Sequence, residues 1–219
     1  MKRLLKWILG ILFLPTCFVQ SYVFYQSLQQ LKKFEGDSVC FIYGVLAYFL
    51  LHTLLFKPVF PYTLAHEVVH AVAAKAFGGE VKSIKVSEKG GETRTTKSNF
   101  VISLAPYFTP LYALLFCLST FIVVRLFQVQ GFRDLFFLFI GFFLTFHVVM
   151  TVDFLKTKQP DLLKLGELLS IELIYVVNLL VVILVLGFVF PEVSPRRYFV
   201  NALTSTEAAY RQIYNQLFL

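Results

Sequence analysis

Apolar residues run along this chain in long blocks, broken by short polar segments. The first block covers about Leu4 to Tyr25, with Pro15 inside it, and QSLQQLKKFEGD follows as an exposed connection. The second, about Ser38 to Phe56, is closed by Lys57-Pro58 and Pro61; the third, about Tyr62 to Phe77, stops at Gly78-Gly79. The polar stretch EVKSIKVSEKGGETRTTKSN comes next, with β-branched residues on both sides of Gly90-Gly91, a pattern that predicts a β-hairpin turning at the glycine pair. A fourth block, about Phe100 to Phe127, is interrupted early by Ala105-Pro106-Tyr107 and Pro110, which predicts a bent or broken helix. The fifth spans about Leu135 to Phe154. After KTKQPDLLKLGE the sixth runs from about Leu168 to Phe190. The tail beyond Pro191, ending TSTEAAYRQIYNQLFL, reads as a surface or interfacial helix. Together the blocks predict one all-α polytopic membrane domain over residues 1–219, with about six transmembrane helices and a small hairpin insertion.

Composition supports the same class. Of the 219 residues, 58% are hydrophobic, 17% aromatic and only 15% charged, against roughly a quarter charged in soluble domains. Twenty-six Phe residues in long runs exceed what one small soluble core can hide. The formal charge of +7 sits in short groups between the apolar blocks, so it marks contacts to lipid headgroups and not to nucleic acid. Cys17, Cys40 and Cys117 lie in apolar blocks without a C-x-x-C spacing, which indicates neither a disulfide framework nor a thiolate metal site. The N-terminal MKRLLKWILG resembles a signal peptide, but its apolar stretch continues without a small-x-small cleavage site and reads as a retained first span.

The chemistry concentrates in the third block, TLAHEVVHAVAAKAFGG. Residues four apart share one helix face, so His66 and His70 can offer two imidazoles to one metal ion. Glu67 projects beside them, where a carboxylate can serve as a general base; this is the content of H-E-x-x-H. Ionisable groups inside an apolar segment are costly and point to function. The block's sixteen residues are short for a ~30 Å hydrocarbon core, which suits a helix buried among others. Catalytic zinc sites usually carry three protein ligands, and the third is open among Asp161, Asp153, His147 and Glu172, with His52 a further metal candidate. A competing reading is a buried cluster satisfied by its neighbours. Another is a non-proteolytic transporter or metal-handling protein with the polar groups lining a path.

Four segments carry a resemblance: HEVVHAVAAKAFGG on a membrane helix, GGEVKSIKVSEKGG after it, SLAPYFTP opening the next block, and PDLLKLG far downstream. The chain resembles the site-2-protease-like intramembrane zinc metallopeptidases over roughly Pro61 to Ser170. In that family H-E-x-x-H comes first and an Asp of a later Asp-Gly motif completes the zinc site; SLAPYFTP stands where a small-residue Ala-Gly-Pro turn is common. Here Leu162 follows the Asp, and the Asn-x-x-Pro signature is absent. The resemblance implies Zn²⁺ held by His66, His70 and Asp161, with Asp153 as runner-up for the third position. It also implies Glu67 as the base for a zinc-activated water. The implied substrate is a membrane-anchored protein segment, locally unwound. A compact chain without organelle-type targeting features points to an integral protein of the bacterial inner membrane.

Overall fold

The computed structural model describes residues 2–31, 36–88, 90–127, 131–157 and 159–219. The chain forms two compact units, one of residues 33–161 and one of residues 1–32 with 162–219.

The unit 33–161 holds the hairpin and five helices. Helix α2 (Asp37–Leu50) continues as a π-helical turn, Leu51–Leu55. It packs along α6 (Arg133–Leu155) through glycine. A Cβ on Gly44 would collide with the Leu138 carbonyl, and one on Gly141 with the Phe41 carbonyl, so the two backbones touch. Small residues at such contacts are how membrane helices approach closely. Beside this seam Tyr48, Tyr62, Phe146 and Met150 form a buried apolar cluster. The Tyr62 hydroxyl within it is satisfied by Thr151 Oγ1 at 2.9 Å.

Helix α3 (Val59–Ala76) begins three residues earlier than the apolar pattern suggests. Pro61 falls in its first turn, where backbone N–H groups have no helical acceptor, so the ring does no harm there. Its end is a Schellman motif. The Gly79 N–H donates to the Ala74 carbonyl at 2.8 Å and the Gly78 N–H to the Lys75 carbonyl at 2.8 Å. Gly78 adopts φ 72°, a conformation that favours glycine.

Strands β1 (Val81–Ser87) and β2 (Gly90–Thr95) pair antiparallel as expected. The turn differs from the expectation. Ser87 pairs with Gly90 and Val86 with Gly91, so the glycines open β2 as paired strand residues. Lys89 lies outside the described residues. Helices α4 (Phe100–Phe108) and α5 (Leu111–Phe127) follow, bent by 64° at the break between them. This is the interruption that the two prolines announce.

The second unit contains α1 (Lys2–Leu28), α7 (Glu167–Val189) and α8 (Pro195–Phe218). Helix α1 takes in the start of the expected polar connection, of which residues 32–35 lie outside the description. Buried Gln20 on α1 is tied to α8: it accepts from the Tyr198 hydroxyl at 2.9 Å, and its Nε2 donates to the Ala202 carbonyl at 3.4 Å. Helix α8 starts with Ser194 as cap, whose side chain accepts from the Arg197 N–H, and with Pro195 at the first helical position. The tail is thus the helix expected.

Among the described residues four helices are long and apolar enough to span a membrane: α1, α2 with its π-helical turn, α6 and α7. The bent pair α4–α5 makes five if counted as one span. The sequence reading of about six counted α3 as well. That helix has 18 residues, and His66, Glu67, His70 and Lys75 make it too polar to qualify. The fold is an all-α polytopic membrane protein with a two-stranded sheet.

Candidate metal centre

His66 and His70 stand one turn apart on α3, with ring centroids 4.8 Å apart and planes at 80°. Asp161 comes to them from a single 3-10 turn, Pro160–Leu163. The next α-helix begins only at Glu167, after Gly166 at φ 105°. Asp161 Oδ2 lies 3.3 Å from His70 Nε2 and 3.8 Å from His66 Nε2. One ligand atom from each of the three residues falls within 4.8 Å of the others. Burial pushes the Asp161 carboxyl up, but the two imidazoles outweigh burial and hold it well below the usual carboxylate range.

The two histidines are held differently. His70 Nδ1 is 2.9 Å from the Ile102 carbonyl oxygen, which accepts its proton. That bond keeps a proton on Nδ1 and turns Nε2, the nitrogen left for a metal, toward Asp161. His66 Nδ1 is buried and has no hydrogen-bond partner among the described residues. Its ring is held by packing instead, with Tyr107 edge-on at 4.9 Å and Tyr62 at 6.1 Å.

Glu67 is 5% exposed and follows His66 on the same turn. The hairpin lies over it: Thr93 Oγ1 donates to the Glu67 carbonyl at 3.1 Å, and Gly91 packs against the Glu67 side chain. Thr93 and Thr95 are partly buried while Glu92 and Arg94 are exposed, the alternation of a strand with one covered face. A cavity of about 910 Å³ adjoins these groups, lined among others by His66, Glu67, His70, Gly91 and Asp161.

The remaining candidates do not join the three-residue cluster, although Asp153 lines the same cavity. Asp153 is occupied by Lys57 and Lys156, each at 2.6 Å, and by His52 Nε2 at 3.2 Å. The second nitrogen of His52 meets the Tyr48 hydroxyl at 3.1 Å. His147 is buried in α6, and Glu172 is buried in α7 of the other unit with no hydrogen-bond partner for its carboxylate among the described residues. Sequence reasoning missed Gly91, Thr93 and the Ile102 carbonyl, because strand register and a backbone acceptor leave no residue-type signal of their own.

The donor set fits a zinc ion. Two neutral imidazole nitrogens and one carboxylate oxygen are ligands that Zn²⁺ accepts, and three protein ligands are the number found in catalytic sites. Fold and site together describe a helical membrane protein with a His/His/Asp cluster that could hold a metal ion. Residues 39–119 match the family model described as Peptidase M50B-like, a likeness over less than half of the chain. The matched region takes in His66, Glu67 and His70 and ends before Asp161. No curated protein and no solved structure matches the chain.

Proposed function

We propose that the protein is an intramembrane zinc metallopeptidase that hydrolyses peptide bonds in membrane-anchored protein substrates, acting in the bacterial inner membrane. The observation that carries this reading is the convergence of His66, His70 and Asp161 beside Glu67 on one cavity. His66 and His70 would hold the metal through Nε2 and Asp161 through a carboxylate oxygen. When bound, zinc supplies a Lewis acid for the scissile carbonyl and lowers the pKa of a water.

The other contributions come from the chain itself. Glu67 accepts the proton of the attacking water and returns it to the leaving amine, which makes it the general base and then the general acid. Its burial between α3 and β2 keeps it in one place for both transfers. Ile102 orients His70 through its carbonyl. The cavity wall at β2 offers backbone to an extended substrate segment, the manner in which peptides commonly add to a strand.

The test is metal analysis of the detergent-purified protein together with cleavage of a membrane-anchored reporter in proteoliposomes. One zinc per chain is expected in the parent protein, and none in the His66→Ala/His70→Ala double variant. Full zinc occupancy in that variant ends this reading. Normal zinc with metal flux and no cleavage would support the path-lining alternative.

A further inference from the structure

We propose that Pro106 is a positioning residue for His70, acting through the backbone by withholding an N–H. In an α-helix the carbonyl of residue i accepts from the N–H of residue i+4. For Ile102 in α4 that donor would come from position 106, and proline has none. The Ile102 oxygen accepts from His70 Nδ1 at 2.9 Å instead. The other side of the same residue is pinned as well, since the Ile102 N–H donates to the Asn99 side chain at 2.8 Å. The first turn of α4 is therefore fixed by its cap, and the acceptor aimed at α3 is kept free of the helix's own ladder. The consequence is a proton held on Nδ1 and a fixed ring orientation, with Nε2, the nitrogen left for a metal, facing Asp161 at 3.3 Å. A partner on the non-ligating nitrogen fixes ring orientation and raises ligand basicity. The arrangement also accounts for a proline inside a helix only nine residues long.

The inference rests on His70 as a zinc ligand for its consequence, but its physical core is the hydrogen bond. Three forms of the purified full chain separate the possibilities: parent, Pro106→Ala, and a form with lactic acid at 106, placed by nonsense suppression. Alanine supplies the competing N–H. Lactic acid removes it again through an ester, without restoring the proline ring. Zinc affinity is read by competition with a chromophoric chelator, and the His70 tautomer by ¹⁵N NMR of the zinc-free protein.

Pro106→Ala should weaken zinc about tenfold, the low end for loss of a ligand's orienting partner, and mix the His70 tautomers. The ester form should return both readouts to the parent values. Parent-like affinity and a pure Nδ1–H tautomer in Pro106→Ala would overturn the proposal. So would an ester form as weak as alanine, because the ring and not the missing N–H would then matter. If the parent binds no zinc, the metallopeptidase reading fails by itself, and the tautomer series still decides the role of Pro106.

Discussion

Gly91 of β2 lies directly against Glu67 of α3. A Cβ at position 91 would sit 2.5 Å from Glu67 Cγ and 2.7 Å from Oε1, closer than real Cβ contacts come. The strand can cover the proposed base only because position 91 has no side chain. Gly91→Ala must therefore displace either the Glu67 carboxylate or the strand. A misplacement of about 1 Å in a reacting group can cost ~10²-fold, so we expect reporter cleavage to fall by one to two orders of magnitude. Zinc content should stay at the parent value, because none of the three ligand residues is touched. Undiminished cleavage by Gly91→Ala would show that Glu67 tolerates displacement and is not the base.

Glu67→Gln keeps the size of the side chain and removes its basicity. Zinc stoichiometry and thermal unfolding should match the parent protein, while turnover of the anchored reporter drops about 10²–10⁴-fold. A variant that cleaves at the parent rate would assign the proton transfer to another group.

Asp161 and Asp153 separate cleanly. Asp161→Ala removes the oxygen 3.3 Å from His70 Nε2, so both zinc and proteolysis should be lost. Asp153 is held by Lys57, Lys156 and His52, and its removal should leave zinc in place or weaken it only partially. Lys57 and Lys156 are exposed, so the stability cost of Asp153→Ala should be only about 1 kcal/mol or less. An empty site in Asp153→Ala with full zinc in Asp161→Ala would reverse the assignment.

Acid should release the metal through the histidines. The Asp161 carboxyl is held below its ordinary range, so it carries no proton for zinc to displace at any pH above about 4. Imidazoles ordinarily take up a proton near pH ~6.5, and a protonated ring cannot be a ligand. Burial holds His66 below the ordinary imidazole range; at His70 burial is outweighed by Asp161, which holds the ring above it. Zinc affinity should therefore begin to fall near neutral pH and steepen below it, with a slope approaching two protons per zinc. Equilibrium dialysis across pH 4.5–8 measures it. A slope near three would mean that Asp161 titrates with the histidines.

Much of the molecule is written in local pattern. The apolar blocks mark the spanning helices because a bilayer leaves a chain no other way to satisfy its backbone than helices or a closed barrel. Gly78-Gly79 ends α3, Pro106 and Pro110 break the α4–α5 span, and the four-residue spacing of His66 and His70 puts them on one face. Each of these follows from residue type within a single element. Hydropathy read as blocks also counted α3 as a span, because it registers apolar length more readily than the polar stripe that the helix carries.

Tertiary structure decided what depends on distance across the chain. That Asp161 and not Asp153 meets the histidines depends on where a 3-10 turn ninety residues away returns to α3, and the two carboxylates look alike in sequence. The hairpin's register, with Gly90 and Gly91 paired inside β2, answers to what the covered face packs on. Here that partner is Glu67, whose side chain lies where a Cβ at position 91 would crowd it. Even the freed carbonyl of Ile102, implied by Pro106 alone, acquires a role only when α4 lies against α3 and His70 is there to use it.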